Sequence, residues 1–275
     1  MTAALQRLVD CRPINAAFTA ARLLRQRKSP RRHPPLAEPI AQQALDALAH
    51  DGLAIVPSFL SRTTCAALRA EIDAVMSARP DLVQRDSADA DHRLFAFDRV
   101  SAAAARFAAT PWLHELAARY FAAPAMHAFT MAGRLTHRPD NLGSGQGWHR
   151  DSFARQLKAI VYLTDVDDGD GPFQYVRRSA RLPAVLRAMW TARLGYMQNR
   201  LSDAEVARIV GADPSAVFTA TAPAGTLLLA DTTGIHRGMP SRRGRRYALT
   251  NYVYAAADYT DRVAAHFAQR VKFCS

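Results

Sequence analysis

The chain has 275 residues, enough for one large domain with a proper core or for two small ones. Apolar residues make up 49%, which makes a globular protein the default, and no apolar run reaches the ~18 residues of a membrane-spanning helix. Three scattered cysteines, Cys11, Cys65 and Cys274, have no metal-ligand spacing and exclude a disulfide framework, which fits a reducing compartment.

The formal net charge is +12 and it is uneven. Before Pro34, Arg7, Arg12, Arg22, Arg25, Arg27, Lys28, Arg31 and Arg32 face Asp10 alone. One reading is an electrostatic patch for an anionic surface or a phosphorylated partner. The other is compositional, because Arg exceeds Lys and Ala is abundant along the whole chain. The second is preferred: charge runs are more often solvated faces, and no nucleic-acid motif or interleaved aromatic accompanies this one. A nucleic-acid partner is therefore not expected. Met1 to Leu24 lacks the apolar stretch of a secretory signal. A surface helix (Ile14, Phe18, Leu24) on a cytoplasmic protein is the expectation, although a mitochondrial transit peptide shares this composition.

Residues 1–40 are expected to be a basic segment and linker, with Ser29 to Pro39 rich in Pro and Arg. The rest, 41–275, reads as a single domain. Pro39 to His50 has the pattern of a short amphipathic helix. Asp51-Gly52 turns into an apolar strand, Leu53 to Val56, stopped by Pro57. Ser61 suits the N-cap of a helix reaching Met76. Ala102 to Phe121 predicts helices broken at Pro111. Strand patterns then take over, at Met126 to Thr136, Leu157 to Val166, Pro172 to Arg177, Gly225 to Ala230 and Arg246 to Tyr254. Among them lies a helical insert, 182–210, in which Ser202 and Glu205 can form a capping box. Helices first and short strands later predict an α+β chain whose core is an all-β barrel or sandwich.

Two segments carry the chemistry. Trp148-His149-Arg150-Asp151 follows a Gly/Ser loop, and residues i and i+2 of an extended chain point the same way, so His149 and Asp151 can reach one ion. His236 lies just past the apolar strand Thr226-Leu227-Leu228-Leu229. Two imidazoles and one carboxylate suit Fe(II), Mn(II) or Zn(II), and for Fe(II) they leave one face open for substrate and oxygen. His-x-Asp alone is a weak signal. Arg246 strengthens it: it opens a strand whose period of two puts Arg246, Ala248 and Thr250 on one face, where the guanidinium can pair with a carboxylate.

With these stretches the chain resembles the phytanoyl-CoA dioxygenase-type family of Fe(II)/2-oxoglutarate oxygenases. The matching segments are Asp51 to Pro57, Trp148 to Asp151, Tyr162 to Val166 followed by Gly171 to Gln174, and Gly225 to Leu229 leading to His236 and Arg246. They run in the family's order over roughly residues 45 to 255. The resemblance implies a double-stranded β-helix, or jelly-roll core, flanked by the N-terminal helices. It implies iron on His149, Asp151 and His236, and the distal carboxylate of 2-oxoglutarate on Arg246. It also implies O2 as oxidant and hydroxylation of a C–H bond in a small molecule. Asp151 argues against halogenation, because halogenases of related fold lack that carboxylate. Two positions depart from the pattern. Gly238 stands where many members carry a Ser that helps to hold 2-oxoglutarate, and Arg177 to Ala180 replaces a Pro-Gly-Ser-His run.

Further residues are expected near the site. Tyr162, Lys158 and Thr136 are candidates for 2-oxoglutarate. Arg134 and Gln146 are candidates for substrate, and Arg134 in particular for an anionic group on it. The insert is either a lid, a dimer contact or plain core. Two rival readings stand beside the oxygenase: a non-catalytic β-helix domain binding an anionic glycan or lipid, and a cupin-like metalloenzyme that does not use 2-oxoglutarate. Neither the substrate nor the oligomeric state is legible.

Overall fold

The computed structural model describes residues 12–26 and 34–271. The basic residues outside those ranges, and residues 29–33 of the expected linker, lie outside the described residues. In chain order the elements are α1 (Arg12–Gln26), α2 (Pro39–Asp51), β1 (Leu53–Val56), α3 (Arg62–Ala78), β2 (Gln84–Arg85), β3 (Asp91–Leu94), α4 (Ala102–Ala108), α5 (Pro111–Phe121), β4 (Ala125–Thr136) and β5 (Gln156–Tyr162). They continue with β6 (Phe173–Val176), α6 (Leu182–Thr191), α7 (Asp203–Val210), β7 (Val217–Ala220), β8 (Leu227–Asp231), β9 (His236–Gly238), β10 (Arg245–Ala255) and α8 (Asp261–Ala268).

The strands form two antiparallel sheets. The larger has the order β1-β8-β5-β10-β4-β3-β2 and the smaller the order β7-β6-β9. This is a double-stranded β-helix, with the two sheets facing each other and no closed barrel. Leu53, Ile160, Tyr162 and Leu228 of the large sheet pack against Phe173 and Tyr175 of the small one. The other face of the large sheet is covered by helices, where Leu48, Leu68, Ile72 and Leu116 meet Val161, Leu227, Leu229 and Leu249. With both faces covered, every residue of β5 is buried. The continuous apolar run of its sequence follows from that position.

Helix ends form where their caps allow. Ser61 accepts the Thr64 N–H at 3.0 Å and starts α3. Pro111 opens α5 at a position where a missing N–H costs nothing. Ser202 and Glu205 close the capping box of α7. The insert is thus two short helices, α6 and α7, rather than one helical run, and the chain between them returns to pair beside His149. α1 packs on α6 and buries Asn15 and Thr19, while Phe18 and Leu24 face outward. Of its apolar side chains, Leu23 packs on the cluster formed by Val185, Ala188 and Met189. No helix among the described residues is long and apolar enough to cross a membrane.

Candidate active site

The segment from His149 to Asp151 is extended and pinned on one edge. The His149 N–H donates to the His236 carbonyl at 2.9 Å, and the His236 N–H returns to the His149 carbonyl at 2.9 Å. The Asp151 N–H donates to the Thr232 carbonyl at 3.0 Å. Pairing sets the two imidazoles opposite each other, with ring centroids 4.3 Å apart. Alternation sends Arg150 to the far side, where its buried guanidinium donates to the carbonyls of Ser179 and Thr233. Burial pulls the Arg150 pKa down to about 10.

One ligand atom each from His149, Asp151 and His236 lies within 4.8 Å of the others. Asp151 Oδ1 is 3.5 Å from His149 Nε2 and 3.8 Å from His236 Nε2. Nδ1 of His149 lies 2.8 Å from the Gly147 carbonyl, and Nδ1 of His236 lies 3.0 Å from the Gly234 carbonyl. A carbonyl only accepts, so each Nδ1 carries the proton and each Nε2 lone pair faces inward. Burial, reinforced by the neighbouring His149, pushes His236 well below the ordinary histidine range and keeps it neutral. Burial alone would raise the Asp151 carboxyl. The Lys158 ammonium and the two histidines override it and hold the group well below the usual carboxylate range. Two imidazoles and one carboxylate, convergent and pre-oriented, could hold a mononuclear non-haem iron.

Lys158 is a neighbour of this centre. Its Nζ is 2.6 Å from Asp151 Oδ2 and 4.6 Å from the centre of the Tyr252 ring. The ion pair occupies one carboxylate oxygen and leaves Oδ1 turned toward both Nε2 atoms. Burial opposes the charge on Lys158, but Asp151 outweighs it and raises the pKa above the usual value.

Arg246 is buried in the same cavity, donates to the Gly171 carbonyl and lies 6.0 Å from the centre of the Tyr162 ring. It has no carboxylate partner among the described residues. The Tyr162 hydroxyl is committed elsewhere: it donates to the Ala220 carbonyl at 3.1 Å and accepts the Phe173 N–H at 2.8 Å. It ties the two sheets together, so only its ring faces Arg246.

The cavity encloses about 920 Å³ and is lined by the three candidate ligands together with Lys158, Tyr162 and Arg246. Three expected residues do not reach it. β4 pairs with β10 so that Leu135 lies opposite Arg246, whereas Arg134 lies opposite Tyr247 and Thr136 opposite Arg245. Cross-strand partners share a face, so Arg134 and Thr136 point away from the cavity. Arg134 instead pairs with Asp73 of α3 at 2.7 Å and lies 2.9 Å from His92 Nδ1. Gln146 is exposed in the loop, and its carbonyl accepts from Arg200.

Sequence reasoning missed Arg93 and Ser144, which both line the cavity. Arg93 donates to Asp91 at 2.9 Å and to Ser144 Oγ at 3.3 Å. An Asp-x-Arg pair at strand spacing was the available signal, but β3 is only four residues long. Ser144 also explains Gly238. A Cβ built at 238 would sit 2.8 Å from the Ser144 Cβ, so Ser144 takes the space that a side chain there would fill. Gly145 is needed for a similar reason: its φ is +85° and a Cβ would lie 2.4 Å from His149 Cε1.

Known proteins share the family and the fold. The family model described as phytanoyl-CoA dioxygenase (PhyH) matches residues 48–247. No curated protein matches the sequence. Among solved structures, the epimerase SnoN in complex with Fe3+, alpha-ketoglutarate and nogalamycin RO superposes with a TM-score of 0.60 at 18% identity, covering 78% of this chain and 84% of SnoN. HygX from Streptomyces hygroscopicus, with nickel, 2-oxoglutarate and hygromycin B bound, gives 0.53 at 16% identity over 78% of this chain and 87% of HygX. EctD from S. alaskensis with bound Fe gives 0.63 at 15% identity over 85% and 84%.

Proposed function

The chain belongs to the phytanoyl-CoA dioxygenase (PhyH) family and is an Fe(II)- and 2-oxoglutarate-dependent oxygenase, and we propose that it hydroxylates a C–H bond of a small molecule. The observation that carries this reading is the convergence of His149, Asp151 and His236 in a cavity that also holds the buried, carboxylate-free Arg246. The substrates printed for the structural neighbours, nogalamycin RO and hygromycin B, are small molecules, and the cavity volume suits one as well.

His149, Asp151 and His236 would hold the iron, and Arg246 would hold the distal carboxylate of 2-oxoglutarate. When bound, the iron with 2-oxoglutarate and O2 supplies oxidation of a C–H bond coupled to formation of succinate and CO2. The protein supplies position. The Gly147 and Gly234 carbonyls fix both imidazole tautomers. Lys158 holds Asp151 Oδ2 and so sets the rotation of the carboxylate. Tyr162 braces the sheets behind Arg246, keeping the guanidinium still without spending a hydroxyl on the anion. Ile160, Phe173 and Ala248 line the cavity and keep bulk water from the reacting centre. Turnover of a metabolite extract under 18O2 tests the reaction type. The expected product gains one labelled oxygen per succinate formed. A product without label, formed in step with succinate, would overturn hydroxylation.

A further inference from the structure

The outer wall of the cavity comes from the end of the chain. Asp258, Arg262, Val263, His266, Phe267 and Arg270 all line it, and all lie beyond the family-matched region, which stops at residue 247. α8 is built for this place. Val263, Phe267 and Val271 recur at helical spacing and pack on the cluster around Phe95, Phe129 and Tyr252. The Phe267 ring is 4.8 Å from Phe129 and 5.8 Å from Tyr252. Arg262, His266 and Arg270 follow the same spacing one position earlier and line the cavity. One stripe anchors the helix, and Arg262 and His266 of the adjacent stripe are exposed.

The charges along the cavity are unbalanced. Its three acidic residues are all engaged: Asp91 with Arg93 at 2.5 Å, Asp151 with Lys158 at 2.6 Å and Asp258 with Arg155 at 2.9 Å. Arg200, Arg262 and Arg270 at the mouth have no carboxylate partner among the described residues. Arg200 donates to the Gly145 and Gln146 carbonyls, and the Arg270 guanidinium lies 5.8 Å from the centre of the Phe95 ring. Phe95, Met131, Phe153, Tyr252 and Phe267 give the cavity an aromatic and apolar wall beside the polar Arg93 and Ser144. A cationic substrate would meet uncompensated like charge here, and a wholly polar one would lose hydration against the aromatic lining.

We infer that α8 is the substrate-selecting wall of the enzyme, and that the primary substrate has an apolar body ending in a carboxylate or phosphate held by Arg262 and Arg270. This rests on the reading of the same cavity as the oxygenase site. It replaces Arg134, which lies on the wrong face of β4, as the anchor for an anionic substrate.

The test is calorimetric and needs no turnover, so a failure of the iron chemistry leaves it intact. The probes are 4-phenylbutyrate, 3-phenylpropyl phosphate and the neutral 4-phenylbutanamide, titrated into the full chain with saturating Mn(II) and 2-oxoglutarate. At least one acid should bind about ten-fold more tightly than the amide, the order expected for charge-assisted contacts at a half-exposed site. The preferred acid separates carboxylate from phosphate. That preference should weaken with added salt and vanish in the Arg262→Gln/Arg270→Gln double variant, with amide binding unchanged. Arg262 is exposed and Arg270 half-buried, and the salt series on the unaltered chain needs no variant at all. No preference for either acid, whether the probes all bind or none does, overturns the inference. So does a preference lost in Arg246→Ala but kept in the double variant, which would place the anion in the deep site.

Discussion

Replacing Arg246 with alanine removes a guanidinium that is 8% exposed and has no carboxylate partner among the described residues. Folding has already met the cost of burying that charge, and an arriving carboxylate neutralises it without breaking another ion pair. One N–H is engaged by the Gly171 carbonyl, which leaves the remainder of the fork to pair with 2-oxoglutarate. Charge-assisted hydrogen bonds contribute about 1.5–3 kcal/mol each before solvent refills the site. A net loss of about 2–3 kcal/mol is expected, which is roughly a 30- to 150-fold higher requirement for 2-oxoglutarate. Succinate formation at fixed Fe(II), with 2-oxoglutarate varied, measures it. Anaerobic Fe(II) titration should show iron affinity unchanged, because Arg246 makes no contact with the three candidate ligands. Arg246→Lys keeps the charge but not the fork and should fall between. Arg245 is exposed and on the opposite face of β10, so Arg245→Ala should behave as wild type. An unchanged 2-oxoglutarate requirement in Arg246→Ala, or a larger effect from Arg245→Ala, would refute the assignment.

Gly145→Ala adds a Cβ at positive φ that collides with the His149 ring, so Fe(II) affinity should fall about ten-fold or more, read by anaerobic titration. Lys158→Met leaves the Asp151 carboxylate buried and unpaired. The metal-free variant should lose about 3 kcal/mol of stability, and saturating Mn(II) should recover most of it in a thermal melt. Arg134→Gln should leave the KM values for 2-oxoglutarate and substrate unchanged. It should cost about 1 kcal/mol of stability through loss of the Asp73 contact, measured by urea denaturation.

The long, strongly patterned elements were legible in the sequence. β4, β5, β10 and the helices capped by Ser61 and Ser202 fall within a few residues of their sequence patterns, because periodicity, caps and prolines are local signals. The i, i+2 geometry of His149 and Asp151 was legible for the same reason. β2, β3, β7 and β9 were not: strands of two to four residues carry almost no periodicity, and β1 and β6, equally short, were readable from the turn and proline signals beside them, Gly52, Pro57 and Gly171. β9 is the instructive case. His236 was expected just past a strand end, yet it begins a strand of its own in the second sheet, paired with both β6 and His149. Which face a cation takes depends on register across strands, and that is a non-local property. Arg246 needed only the alternation of its own strand. Arg134 needed the β4–β10 pairing, which sequence does not encode locally. Lys158 shares the cavity face as expected, but its partner is Asp151, and choosing between an ammonium's possible anions takes the three-dimensional arrangement. α8 left no motif, because its role comes from where it docks.

Fe(II)-dependent release of succinate from 2-oxoglutarate, compared between the wild-type chain and His149→Ala, Asp151→Ala and His236→Ala, tests the central claim most directly. It also separates an oxygenase from a relic binding domain and from a metalloenzyme that ignores 2-oxoglutarate. The wild type should form succinate only with Fe(II) and O2, lose it on chelation, and each substitution should abolish both Fe(II) binding and turnover, since two ligands hold a labile divalent ion poorly. Wild-type protein that forms no succinate, or His236→Ala that retains full turnover, would contradict the account.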